Sequence, residues 1–323
     1  MAERSQTQKQ ENNRARVAVL YVLYVFLSLS SFAFGDALLP QVPEGVQAMS
    51  LSGEPLVSAE PSVNTLNNLA QARTEYEAEP GIAENIIWYG RRTAYAGDYR
   101  RAIEIFTEGV EKFPEDPRFL RHRGHRYLSI REFDHAIADL ERAADLMDGT
   151  PVAVELDGLP NAQNIPLTTT QGNVWYHLGL AYYLKQDWPR ALEAFRRGYS
   201  LGGYDDNLVS TGHWIYMILR LMGREAEALA ALDEISAEME IIENMSYHQL
   251  CLLYKSEASL EDMMATDGDD PSNAAVAYGV ANYLYYNGDR QGADDLLRRL
   301  VSGSSWSAFG FIAAEADLAN PNR

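Results

Sequence analysis

Residues Gly90 to Phe106 read GRRTAYAGDYRRAIEIF, and Gly124 to Leu140 read GHRYLSIREFDHAIADL. Set in register, the two stretches are offset by 34, which places Gly90 over Gly124, Tyr99 over Phe133, Ala102 over Ala136 and Phe106 over Leu140. Pro80 and Pro114 keep the same interval upstream. One period shared by five positions, each holding its residue type, marks a stack of helix-turn-helix units. Such a unit cannot bury its apolar side alone, but a stack of them can, and the stack presents a curved surface. The expected fold class is therefore all-α, a solenoid of antiparallel helix pairs.

The third unit is the clearest. Trp175, Leu178, Gly179 and Tyr182 read W-x-x-L-G-x-x-Y, and Trp188, Ala191 and Phe195 follow. Gly179 and Ala191 are small where paired helices come close, the aromatic and leucine side chains fill the space between helices, and Asp187 suits an N-cap. Residue types and spacing together resemble the tetratricopeptide repeat. The resemblance covers roughly Val63 to Leu318. It implies a right-handed superhelix whose first helices line a concave groove that holds a peptide or partner protein, and it implies no catalysis. Arg121–Tyr127 (RHRGHRY) and Trp175–Tyr183 (WYHLGLAYY) are also similar to exported bacterial proteins that carry this repeat, for which no activity is implied.

In this frame a half-repeat spans 63–80, and repeats span about 82–114, 117–147, 173–201, 206–237, 245–265 and 272–301, with a capping helix at 304–318. Residues 148–172 are inserted between the second and third units, and they hold Pro151, Pro160 and Pro166 and a Val152–Leu156 run that suits a short strand. Long insertions in compact stacks are often functional, and this one can reach the groove or its edge.

The N-terminal 35 residues read as an address. Arg4, Lys9, Arg14 and Arg16 precede an apolar run from Val17 to Leu29, and Ala33-x-Gly35 follows. This is the layout of a secretory signal cleaved after Gly35. The rival reading is an uncleaved anchor over Val17–Phe34, at the short end for a bilayer span. The expected location is therefore exported and periplasmic, or else anchored in the inner membrane. Residues 36–62 contain Pro40, Pro43, Pro55 and Pro61 and read as an extended linker.

The chain has 323 residues and a formal net charge of -19. That balance argues against nucleic acid or an anionic membrane surface as partner, because both need a basic footprint. Cys251 is the single cysteine, so a disulfide within the chain is excluded. There is no G-x-S-x-G, no H-E-x-x-H, no phosphate-binding glycine loop and no Cys/His zinc spacing. The acidic run Asp267–Asp270 reads as a turn before Pro271. No cofactor and no enzymatic activity are expected.

Two features point to a binding site on the first helices. His122 and His177 share one repeat position, His213 lies one residue off it, and His125 follows His122 on the same helix face. At the spacing of packed helices, about 10 Å, only His122 and His125 are close enough to chelate together. A histidine-based metal enzyme using His122, His125 and His177 is the alternative from another class. The second feature is a basic island in an acidic chain, in which Arg91, Arg118, Arg121 and His125 fall on groove-facing positions. Converging arginines suit a carboxylate or a phosphate. Tyr176 and Tyr183 fall on groove positions too, as rim contacts. The expected partner site comprises Arg91, Arg118, Arg121, His122, His125, Tyr176, His177, Tyr183 and His213, and it takes an acidic or carboxylate-bearing segment.

Overall fold

A computed structural model describes residues 39–264 and 271–320. The signal or anchor segment 1–35 and the Asp267–Asp270 run lie outside the described residues. The chain enters the stack through α1 (Val63–Ala78) and continues as helix pairs. These are α2 (Ala83–Tyr95) with α3 (Tyr99–Lys112), α4 (Pro117–Ser129) with α5 (Phe133–Met147), and α6 (Thr170–Leu184) with α7 (Trp188–Ser200). Next come α8 (Asp205–Leu221) with the short α9 (Glu225–Ala230), α10 (Met245–Tyr254) with α11 (Leu260–Met264), and α12 (Pro271–Tyr286) with α13 (Arg290–Leu300). The terminal helix is α14 (Phe309–Ala319).

One turn recurs in every pair. Gly97, Arg131, Gln186, Gly223, Ser256 and Gly288 each take positive φ, between 59° and 93°. The amide of the next residue then reaches back into the end of the first helix, as in Asp98 to the Thr93 carbonyl, Glu132 to Tyr127 and Asp187 to Tyr182. These bonds satisfy carbonyls that the helix end would otherwise leave open. Asp98, Asp187 and Asp289 go on to cap the second helix by accepting from the amides of Arg101, Arg190 and Gly292. Close approach of paired helices explains the glycine of the repeat: a Cβ on Gly90 would lie 2.5 Å from the Phe106 ring, and one on Gly179 2.8 Å from Phe195.

Consecutive helices pack on one another along the stack, and their interfaces bury Phe106, Phe119, Leu120, Leu140 and Phe195. The stack does not stay open on its hollow side. α14 returns to pack on α6, and α12 touches α8. Arg131 of the α4–α5 turn ion-pairs with Glu315 of α14 at 2.8 Å and donates to the Trp306 carbonyl.

Residues 36–62, read from four prolines as an extended linker, are folded from Val42 onward. A short hairpin pairs β1 (Ala48–Met49) with β2 (Pro55–Leu56), and Ala48 and Leu56 are buried. Ser58 donates to the Gly97 carbonyl, and the Trp306 indole donates to the Val57 carbonyl. Proline stops a helix, but it leaves a hairpin edge free to form. The insertion is ordered as well, through β3 (Val154–Glu155) antiparallel to β4 (Thr168–Thr169). Among the described residues no helix is long and apolar enough to cross a membrane.

Candidate functional site

The first helices α2, α4 and α6 lie side by side, and residues three or four apart on each point the same way. Arg91 and Tyr95 come from α2; Arg121, His122, His125 and Arg126 from α4; Asn173, Tyr176 and His177 from α6. Together they wall a cavity of about 280 Å³. Glu155, Asp157 and Thr168 of the insertion, Glu243 of the segment before α10, and Phe309 of α14 line its other sides. The concave face is thus a partly covered chamber instead of a fully open groove.

The insertion is fastened across it. Arg121 ion-pairs with Glu155 at 2.8 Å, with both side chains about nine-tenths buried. Arg92 donates to the Gly158 carbonyl at 2.8 Å. Gly158 sits so close to Tyr95 that a Cβ would lie 2.1 Å from its hydroxyl.

The histidines are neutral donors and acceptors. His122 Nδ1 lies 3.0 Å from Arg121 Nη1 and so accepts from the guanidinium, and its ring stacks on Phe106. His177 Nδ1 lies 2.6 Å from the Asn173 carbonyl and donates to it, which leaves Nε2 as an acceptor. Burial, then the neighbouring arginines, hold His122 well below the usual imidazole range, and burial followed by Arg126 and His177 does so for His125. His177 is held well below that range by burial and then by Arg121. The His125 and His177 rings, expected on separate repeats about 10 Å apart, stand only 4.2 Å apart between centroids, and Phe309 touches both. Helix axes are that far apart, but side chains on facing positions reach toward each other.

The basic groups differ in how far they are neutralised. Arg121 has Glu155. Arg91 lies over the Trp88 ring at 4.4 Å, and its Nη2 donates to the Tyr95 hydroxyl at 3.4 Å. Arg126 lies over Tyr99, and burial pushes its pKa down to about 10. Among the described residues neither Arg91 nor Arg126 is ion-paired. A metal fits this chamber poorly. Three guanidinium groups repel a cation, and no three His, Cys, Asp or Glu among the described residues are placed to hold one.

Three of the expected site residues fall elsewhere. Arg118 lies outside the chamber and pairs with Asp116 and Glu84 at 2.7 and 2.8 Å. Tyr183 is buried, with its hydroxyl 2.7 Å from that of Tyr278. His213 is fully buried, 3.1 Å from the Tyr254 hydroxyl. Both lie where later helices, α12 and α10, cover positions that a regular stack leaves on its hollow face. Arg91, Arg121, His122, His125, Tyr176 and His177 are brought together. Arg126, Glu155 and Phe309 were not foreseen. Arg126 had a signal, since it stands 34 residues after Arg92. Glu155 and Phe309 have no repeat mate.

Residues 173–197, which cover most of α6 and α7, match the tetratricopeptide-repeat family. The third helix pair is a tetratricopeptide repeat. Repeats of this kind form protein-binding scaffolds, and the family is generally non-enzymatic. Several solved structures are similar to this chain in fold. YrrB, described as a protein of this class with an unusual peptide-binding site, is 15% identical, with 72% of this chain and 91% of that one covered and a TM-score of 0.41. The Cut9–Hcn1 hetero-tetramer of APC/C is 14% identical, with 74% and 37% covered and a TM-score of 0.46. A putative kinesin light chain of Podosopora anserina, with nearly identical repeats of this type, is 16% identical, with 69% and 95% covered and a TM-score of 0.41. No curated protein matches the chain.

Proposed function

We propose that this chain is an exported scaffold that binds a protein or peptide partner by drawing a carboxylate-bearing group into the chamber. The observation that carries this reading is the charge of its helical wall. Arg91, Arg121 and Arg126 face one cavity, and only Arg121 is neutralised there, by Glu155. Guanidinium groups in a partly desolvated site bind carboxylates by charge-assisted, often bidentate, hydrogen bonds. Tyr176 is held by the Trp214 indole, which donates to its hydroxyl at 2.9 Å, so it offers a fixed aromatic edge. The acidic surface of the chain disfavours nucleic acid, and the partner's acidic group is recognised locally, inside the chamber.

The test uses the full chain and an end-capped peptide rich in glutamate, with binding followed by fluorescence anisotropy. Arg91→Gln combined with Arg126→Gln should weaken binding at least about tenfold at unchanged helicity, the scale of a lost charged contact. Undiminished binding by that variant would remove the site. Export rests on Arg4 to Gly35, with its basic start, apolar run and small residues. Cleavage after Gly35 gives a periplasmic protein, and retention of Val17–Phe34 gives an anchored one. N-terminal sequencing of the mature protein separates the two.

A further inference from the structure

The chamber is polarised. Its helical wall carries Arg91, Arg121 and Arg126, while the wall made by the insertion and the segment before α10 carries Glu155, Asp157 and Glu243. The two walls meet at the Arg121–Glu155 pair, and there the bonding is incomplete. Arg121 Nε and Glu155 Oε2 are both buried, and neither has a partner. A buried orphan donor beside a buried orphan acceptor is costly unless something supplies the complement of each.

We infer that the chamber is a site for a zwitterion, a free α-amino acid or a short free peptide, whose carboxylate meets the arginine wall and whose ammonium meets the acidic wall. The inference rests on the reading of the chamber as the partner site and narrows the partner to a small one. An anion alone would leave Glu155 Oε2 unsatisfied, and a cation alone would leave Arg121 Nε unsatisfied. A ligand bearing both charges answers both and adds no net charge to a buried space. Burial first, and then Asp157, raise the Glu243 carboxyl, although Asn161 donates to it. The charged form of Glu243 is thus disfavoured where it stands, and an ammonium placed beside it would restore that charge.

Size and lining agree. At about 280 Å³ the chamber lies near the lower end of small-molecule sites, roughly 300–1,000 Å³, and is too small for a folded segment. A second cavity of about 290 Å³ shares Asn173, Tyr176, Glu243 and Phe309 with it. Asn207, Ser210, Thr211 and Asn244 line that extension with amides and hydroxyls, which suit peptide groups leading away from a terminus.

The experiment is calorimetric titration of the full chain with alanine, tri-alanine, N-acetyl-tri-alanine, tri-alanine amide and the end-capped glutamate peptide. Alanine or tri-alanine should bind, and either single cap should weaken tri-alanine about tenfold or more. Tri-alanine binding better than alanine assigns the peptide as source, and the reverse assigns the amino acid. Glu243→Gln should weaken tri-alanine but leave the N-acetyl form unchanged. Arg126→Gln should weaken it but leave the amide unchanged. Equal binding of capped and free tri-alanine overturns the inference. Binding of the capped glutamate peptide alone overturns it too, but keeps the proposed function. Binding of none of the five removes both.

Discussion

The imidazoles of His125 and His177 touch, with centroids 4.2 Å apart, across the interface of the second and third repeats. Among the described residues neither is ion-paired with a carboxylate, and both stand on the wall that carries the arginines. Neutral imidazole is the form this packing selects, for these two, for His122 and for the buried His213, which burial pushes down to about 3. The sign follows from the depressed values. About one pH unit or more above 6.5 the folded and unfolded chains both carry neutral histidine, and stability is at its plateau. Below 6.5 the unfolded chain takes up protons that the folded chain refuses, so stability falls. Between pH 7.5 and 5.5 the two buried rings His177 and His213 should each remove roughly 1 kcal/mol. Urea unfolding across that range checks it, and a midpoint that does not move with pH would show the rings to be protonated in the fold.

Arg131 and Glu315 tie the second repeat to the terminal helix with both side chains more than nine-tenths buried. Glu315→Ala should destabilise the fold by about 3–5 kcal/mol, because the guanidinium would stay buried without its anion. Arg131→Met with Glu315→Leu should recover most of that loss, since two apolar groups need no partner. Denaturant unfolding of both variants measures it. A single variant as stable as the parent would mean that the terminal helix does not hold the closure.

Ser256 occupies the left-handed turn position that Gly97, Gly223 and Gly288 fill in other repeats. A Cβ there costs roughly 1–2 kcal/mol, part of which glycine gives back through the freedom of the unfolded chain. Ser256→Gly should therefore stabilise by about 0.5–1 kcal/mol, read as a higher urea midpoint at constant slope. A lower midpoint would mean that the serine is not strained.

The period of 34 made the pairing of helices readable, because Gly90 and Phe106, or Gly179 and Phe195, recur as contacts between neighbours in sequence. The turns were readable only where glycine marked them; Arg131, Gln186 and Ser256 adopt the same backbone without advertising it. Site residues on α2, α4 and α6 could be placed by register. Tyr183 and His213 could not, because their cover comes from Tyr278 and Tyr254 on later helices, and the curl that brings those helices over leaves no local pattern. Glu155 and Phe309 escaped for the same reason, as each meets its partners only through the closure of the stack.

Gly158 is where the insertion touches the chamber rim, packed against the Tyr95 ring with no room for a side chain. Its carbonyl also receives Arg92. A branched residue at this point must push the insertion away from α2, which breaks that bond and strains the Arg121–Glu155 pair nearby. Leu156 and Leu159 are already exposed on the insertion, so a displaced loop becomes a substrate for thermolysin. Gly158→Val should therefore speed cleavage within 152–159 severalfold while the helical signal and global unfolding midpoint change little, because a surface loop contributes little to the core. Unchanged cleavage would mean that the Tyr95 contact does not hold the insertion down and that Arg121 and Glu155 alone keep the chamber closed.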